Sequence, residues 1–198
     1  WVSHDVTLDD LERTGFRRMV GAAAKRAGRT HCIEPLDPRD TIGTLNRLYP
    51  LMDTAWREHV GYISMAECEF AETASGLLSV MTERHIGVVR DISTNLDVGF
   101  GFIYPDFAAE VRALKGEASG WGGWLNTARP DRAVLHTFAL LPEARRLGVP
   151  FLLLDEAFRT MESDGQRRLV IALVLDSVHI FARQIRPTRT YQLLGRKL

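Results

Sequence analysis

The residue types best suited to chemistry are concentrated in one segment, Leu140 to Pro150, which reads LLPEARRLGVP. A strand-like apolar run precedes this segment, and a helix-like run follows it. The N–H groups of a tight turn and the partial positive charge at a helix start bind phosphate. Arg145 and Arg146 add two full positive charges, and Gly148 permits close backbone approach because it lacks a Cβ. The segment therefore predicts a site for a pyrophosphate-bearing cofactor.

The composition sets broad limits on the protein class. With 198 residues, 45% hydrophobic and 25% charged, the chain can bury one globular core. A formal net charge of zero argues against nucleic acid or an anionic membrane as partner. Cys32 and Cys68 are too few for a disulfide framework, so the expected compartment is the cytoplasm. The spacing of the six histidines and two cysteines predicts no metal site.

The order of predicted elements indicates a mixed α/β fold. Strand patterns alternate with helix patterns along the chain, which favours a sheet with helices packed on it. Ser64, with Glu67 three residues later, predicts a capping box at the start of a helix that ends at Leu78. Pro50 predicts a kink or break inside the preceding helix. The strands are expected at 31–36, 85–90, 98–104, 133–140, 168–175 and 189–194, and the helices at 8–27, 41–59, 65–78, 107–114, 148–163 and 177–185.

The first 30 residues are expected to form a helical extension of a main domain at 31–198. Leu11, Phe16, Met19 and Val20 recur at helical spacing, and Gly28 is suited to ending the helix. Such a helix can pack on the domain or on a second copy of the chain, so a homodimer is one expectation. The alternative is that this segment is the tail of a preceding domain.

The turn and its context resemble the GNAT superfamily of acyl-CoA-dependent N-acyltransferases. That family has the pattern Arg/Gln-x-x-Gly-x-Gly/Ala, often after Pro-Glu, and this chain has Pro142-Glu143 followed by Arg145-x-x-Gly148-x-Pro150. The resemblance covers about His31 to Leu198. The segment Leu48 to Phe70, which includes Ala55-Trp56, is similar to a bacterial GNAT-like subgroup of unassigned substrate.

The resemblance implies a mostly antiparallel sheet in which two strands splay apart to form a cleft for acetyl-CoA or another acyl-CoA. The pantetheine arm would pair with the backbone of Phe138, Ala139 and Leu140. The pyrophosphate would lie on the turn, and the implied residues there are Arg145, Arg146, Leu147, Gly148, Val149 and Pro150. Pro150 departs from the pattern because it has no N–H to donate. Arg183 stands where the family commonly has a tyrosine acid.

Acyl transfer to an amine needs a group that accepts the amine proton. His136 on the cofactor strand and His179 near the expected cleft mouth have the residue type for this role. A buried structural role for His136 and a surface role for His179 remain alternatives. Glu67 could bind or deprotonate an amine, although capping is the simpler role for it. Alternation along a strand predicts that His136 and Thr137 point to opposite faces.

Tryptophans are the candidate acceptor-binding residues. The resemblance places Trp56 in the region that walls the acceptor site. Trp121 and Trp124 flank two glycines in a loop that could close over an apolar acceptor, or could anchor its indoles on the core. Cys68 has no partner at a useful spacing and is expected in the core.

Two functions follow from the sequence. The first is transfer of an acyl group, with acetyl the leading candidate, from acyl-CoA to a small-molecule amine by direct attack. The alternative is a GNAT-fold domain without acyl transfer, which serves as a CoA-binding or regulatory half of a tandem protein. Pro150 and the tyrosine missing at position 183 motivate that alternative.

Overall fold

The strands of the protein form one mixed sheet. The computed structural model describes residues 1–59, 62–79, 81–117, 128–175 and 185–192. The sheet order is β2-β3-β4-β5-β6-β1-β7, and every neighbouring pair is antiparallel except β5 and β6, which are parallel. The strands are β1 (Val2–Thr7), β2 (His31–Pro35), β3 (Ile86–Asp91), β4 (Asp97–Pro105), β5 (Arg132–Leu140), β6 (Arg168–Val174) and β7 (Arg189–Thr190).

Helices cover both faces of the sheet. On one face, Phe16, Leu154 and Phe158 bury their side chains against Leu135 of β5. On the other face, Leu48, Met52 and Phe70 pack against β4. The helices are α1 (Leu8–Arg13), α2 (Phe16–Ala27), α3 (Thr41–Trp56), α4 (Glu67–Leu78), α5 (Ala108–Ala113) and α6 (Val149–Ser163). None of the helices in the described residues is long and apolar enough to cross a membrane.

The N-terminal segment is helical over the predicted range and also contains a strand. The helix expected at 8–27 is present as α1 and α2, interrupted at Thr14 and Gly15. Residues 2–7 form β1, which was not predicted and which pairs with β6 and β7 in the sheet. Val2, His4 and Val6 alternate with polar residues in this segment, but the segment is too short for this pattern to distinguish a strand from a loop. The first 30 residues therefore contribute both helices and a strand to the same sheet assembly.

The predicted cap of α4 was wrong. The N-cap is Ala66, whose N–H donates to Glu69 Oε2 at 2.9 Å, so Glu69 and not Glu67 provides the capping carboxylate. Ser64 instead donates its hydroxyl to Asp53 at 2.8 Å. The prediction of a core position for Cys68 was also wrong, because the residue is exposed on the first turn of α4. The α3 helix continues through Pro50 without a break.

Candidate functional site

The two parallel strands separate halfway along β5. β5 pairs with β6 from Arg132 to Leu135, where Leu135 lies opposite Ile171, and this pairing then stops. On its other side, β5 stays paired with β4 as far as Leu140. We call the stretch from His136 to Leu140, for which the described residues of β6 provide no pairing, the open edge. The expected splayed strand pair is therefore present, and it leaves main-chain groups of one strand facing a gap.

Strand geometry determines which peptide groups face that gap. The N–H of Leu141 donates to the carbonyl of Val98 at 2.9 Å, so its peptide faces β4. Because N–H and C=O directions alternate along a strand, Ala139 also faces β4, whereas Phe138 and Leu140 face away from β4. The open edge therefore offers the N–H and C=O of Phe138 and the N–H of Leu140. The resemblance implied that Phe138, Ala139 and Leu140 pair with the pantetheine arm. The peptide groups of Ala139 face β4, so they do not face the gap.

The turn that follows β5 leads directly into α6. A short 3-10 turn, Ala144–Arg146, comes first, and Gly148 is then the N-cap of α6 with φ of +81°. This left-handed conformation is costly for residues with a Cβ, so the turn needs glycine here. A Cβ at Gly148 would lie 3.5 Å from the Cβ of Ala27, which is ordinary contact. The left-handed backbone conformation at this position therefore accounts for the presence of glycine.

In the first turn of α6, the N–H of Phe151 donates to the Gly148 carbonyl at 3.0 Å, which leaves the N–H of Val149 without a partner inside the helix. Val149 is buried and Pro150 occupies the first turn, where it supplies no N–H. Arg146 and Leu147 are exposed beside this helix start. The turn thus retains the elements of an anion site, with one donor fewer than a glycine or alanine would give.

The Arg145 side chain makes contacts that the sequence did not predict. Its guanidinium donates to the carbonyl of Leu140 at 3.1 Å and to the carbonyl of Ala55 at 2.6 Å. It therefore joins the end of the open edge to the last turn of α3, where a cation is favourable for the helix dipole. His59 lies near Arg145. Burial is the larger cause that lowers the pKa of His59, and the positive charge of Arg145 lowers it further.

A β-bulge lies where the strands separate. Phe102 of β4 lies opposite Thr137 and Ile103 lies opposite Leu135, so His136 has no partner across the pair. Bulges redirect side chains and are frequent beside active sites. His136 Nδ1 and Thr137 Oγ1 are 2.7 Å apart. The prediction that these two side chains point to opposite faces was wrong, because the bulge interrupts the alternation.

The surroundings of His136 favour its neutral form. Its imidazole packs on the Tyr104 ring, with centroids 5.7 Å apart. His136 is exposed at its surface, which contradicts the alternative of a buried structural histidine, and partial desolvation of its ring by the protein packed on it lowers its pKa. Burial, and then the charge of Asp106, raise the pKa of Tyr104, so its hydroxyl stays protonated at neutral pH. A neutral imidazole can accept a proton from a bound group.

Trp56 ends α3 and contacts the chain that leads to α4. Its indole is half-buried and meets the Tyr62 ring edge-on, at a centroid distance of 6.1 Å. The Tyr62 hydroxyl donates to Asp53 at 3.1 Å. These contacts hold Tyr62, which lies between α3 and α4, against α3. Trp56 thus lies near the Ala55 carbonyl that binds Arg145, at the turn end of the open edge.

Of the remaining predicted site residues, Glu67 is described and is not brought together with the open edge. Glu67 is exposed in the first turn of α4, and among the described residues no contact joins it to His136. His179, Trp121 and Trp124 lie outside the described residues, as does Arg183. Within the described ranges, no three histidine, cysteine, aspartate or glutamate side chains converge as a metal site.

Sequence reasoning missed Tyr104, His59 and the pairing of His136 with Thr137. Tyr104 had a detectable signal, since it ends the strand predicted at 98–104, whose other residues are apolar or glycine. The bulge had no signal in the sequence, because it depends on the register that β5 adopts against β4. His59 becomes relevant only through Arg145, which is far from it in sequence.

No family model matches this sequence, and no curated protein is significantly similar to it. Among solved structures, the chain resembles a GCN5-related N-acetyltransferase from Sphaerobacter thermophilus, with 10% identity and a TM-score of 0.55. That match covers 80% of this chain and 42% of the other. It also resembles the C-terminal DUF2156 domain of a protein designated a lysylphosphatidylglycerol synthetase from Agrobacterium fabrum.

This second match has 13% identity and a TM-score of 0.52, and it covers 86% of this chain and 45% of the other. The chain thus spans less than half of each of these two solved chains. At such identities the likeness concerns the arrangement of strands and helices. The chain therefore has the fold of the GCN5-related N-acetyltransferases.

Proposed function

We propose that this protein transfers an acyl group, with acetyl as the leading candidate, from acyl-CoA to the amine of a small molecule. The observation that carries the proposal is the open edge, which continues into a turn and a helix start suited to phosphate. A pantetheine arm carries amide groups that complement the free N–H and C=O of Phe138 and the N–H of Leu140. Acyl-CoA supplies an activated thioester when bound.

We assign the proton-accepting role to His136. Transfer forms a C–N bond, breaks the thioester C–S bond and releases a proton from the amine. A neutral imidazole at the bulge, beside the open edge, suits the acceptance of that proton. Trp56, Trp121 and Trp124 remain the candidate acceptor-binding residues. Glu67 and His179 remain secondary candidates for proton transfer.

Calorimetry with acetyl-CoA and longer acyl-CoAs tests the binding half of this proposal. Thiol release measured across a panel of small amines tests the transfer half. Amine-dependent thiol release supports the proposal, and no binding at millimolar acyl-CoA contradicts it. The variant Thr160→Val is a suitable control, because the buried Thr160 hydroxyl, on α6, donates to the Arg84 carbonyl and not to any group of the open edge.

A second function has its own supporting observation. Pro150 removes a donor from the helix start, and the Arg145 guanidinium is bonded to two carbonyls. Both features weaken a pyrophosphate site, which would suit a GNAT-fold domain that binds CoA or regulates a partner domain without transfer. CoA binding without thiol release, for every amine and acyl-CoA tested, would favour this function over the first.

A further inference from the structure

The bulge in β5 does more than interrupt the sheet, because it brings two neighbouring side chains to the same side. In a regular strand, adjacent side chains point to opposite faces and cannot bond each other. Here His136 Nδ1 and Thr137 Oγ1 approach to 2.7 Å. Thr137 is buried, with only 7% of its surface exposed. A buried hydroxyl is therefore held against one nitrogen of the imidazole.

A second histidine in the chain shows how such a contact selects a tautomer. His85 Nδ1 accepts the backbone N–H of Thr82 at 3.0 Å, and a backbone N–H can only donate. The single proton of neutral His85 must then be on Nε2, which donates to Asp164 at 3.0 Å. Both nitrogens of His85 are thus occupied, and its role is structural.

At His136 the partner is a hydroxyl, which can either accept or donate. If Thr137 donates to Nδ1, the ring proton is on Nε2 and neither nitrogen can take a proton from an amine. If Thr137 accepts from Nδ1–H, Nε2 keeps its lone pair. Tyr104 is the titratable side chain that the described residues place against this ring, and it remains protonated and uncharged at neutral pH.

We propose that Thr137 is a positioning residue, which accepts the Nδ1–H of His136 and so keeps Nε2 as the proton acceptor. This inference rests on the proposed function for its purpose, although the tautomer itself does not depend on turnover. The packed Tyr104 ring restricts rotation of the imidazole, and the Thr137 hydroxyl decides which nitrogen carries the proton. No charged group is needed for this orientation.

Nitrogen-15 NMR of the full chain tests the tautomer directly. At a pH well above the histidine pKa of about 6.5, long-range proton–nitrogen spectra distinguish Nδ1–H from Nε2–H rings. His136→Gln and His85→Gln spectra assign the two signals. We expect His136 as the Nδ1–H form and His85 as the Nε2–H form. An Nε2–H form at His136 overturns the inference, even if the protein is an active transferase.

Kinetics of Thr137 variants provide a second readout. Thr137→Val should lower kcat/KM about tenfold, which corresponds to the loss of one hydrogen bond. It should also move the acid limb of the pH profile to lower pH, because the imidazolium loses an acceptor for its Nδ1–H. Thr137→Ser should restore both values, and Thr160→Val should change neither. An unchanged profile, or a limb that moves to higher pH, contradicts the inference.

The two experiments separate the failure of this inference from that of the proposed function. If wild-type protein releases no thiol with any amine, the transferase proposal fails while the NMR result still decides the tautomer. If transfer occurs and His136 has its proton on Nε2, the function stands and Thr137 does not have this role.

Discussion

The two halves of β5 belong to one strand but have different neighbours. From Ala133 to Leu135 the strand is paired with β4 on one side and β6 on the other. From Thr137 to Leu140 it is paired with β4 alone, and His136 is the bulged residue between the two parts. The first half completes the sheet, whereas the second half offers a main-chain edge and continues into the phosphate-type turn. A single bulged residue, His136, marks the boundary between the half that is paired on both sides and the half that we propose as the cofactor site.

This difference shows how a core and a site can share one element. Leu135 packs among Phe158 and other core residues, so the paired half is held by apolar burial. The open edge keeps its position through β4 and through Arg145, which bonds the Leu140 carbonyl. Substitutions in the two halves should therefore separate stability from activity, and the following predictions are ordered by the expected size of their effect.

The largest effect is expected at the boundary itself. His136→Gln should lower kcat/KM by about 10²–10⁴-fold, which is the usual contribution of a general base. The wild-type rate should fall as pH decreases below about 6.5, because protonation removes the base and partial desolvation holds the His136 pKa below that reference value. This acid limb should disappear in the variant. The measurement is thiol release as a function of pH.

His85→Gln is the matched control for that substitution. It removes the bond to Asp164 and should destabilise the fold by about 1–2 kcal/mol, measured by urea unfolding, without changing the rate per folded molecule. If His136→Gln and His85→Gln lost the same fraction of the rate per folded molecule, a specific role of His136 in proton transfer would be contradicted.

In the paired half, Leu135→Ala should act on stability. Leu135 is 4% exposed, and truncation of such a buried side chain costs about 2–5 kcal/mol. CoA affinity of the folded protein should stay unchanged, since the substitution lies below the point where the strands separate. Calorimetry under conditions where the variant remains folded checks this, and weakened affinity there would contradict the division of the strand.

A smaller effect is expected from two glycines that share one conformation. Gly148 has φ of +81° as the N-cap of α6, and Gly15 has φ of +73° as the N-cap of α2. Alanine at either position should cost about 1–2 kcal/mol of stability, because both need the left-handed region. CoA affinity should fall only for Gly148→Ala. A similar loss of affinity in Gly15→Ala would show that general destabilisation explains the result.

The smallest effect is expected at Pro150. Pro150→Ala restores one N–H at the start of α6, worth about 1 kcal/mol or roughly fivefold in affinity when it bonds a ligand phosphate. Calorimetry with CoA should show tighter binding. Affinity for pantetheine, which has no phosphate, should not change. Unchanged CoA affinity would mean that this helix start does not contact the pyrophosphate.

The sequence was sufficient for the features that depend on local pattern. The predicted strands at 31–36, 85–90, 98–104, 133–140 and 168–175 correspond to β2 through β6, and the helices predicted at 41–59 and 148–163 correspond to α3 and α6. The turn was identified because its residue types are themselves the signal. The splayed strands were predicted through the family resemblance, which the fold bears out.

Features that depend on register or distant contacts could not be predicted. The bulge at His136 arises from how β5 aligns with β4, and no residue type encodes it. Arg145 looked like a phosphate ligand, but its side chain bonds the Ala55 carbonyl, 90 positions away in sequence. β1 was missed because its six residues show only weak alternation, and its place depends on pairing with β6.

The most direct test of the central claim is a titration of the labelled protein with CoA, followed by backbone amide signals in NMR. The account predicts that the amides of Phe138 and Leu140, together with those of the turn up to Val149, change on binding. Amides from Ala133 to Leu135 should remain unchanged, because they are paired on both sides. If the open edge shows no change at millimolar CoA, or if the changes lie elsewhere in the sheet, this edge is not the cofactor site.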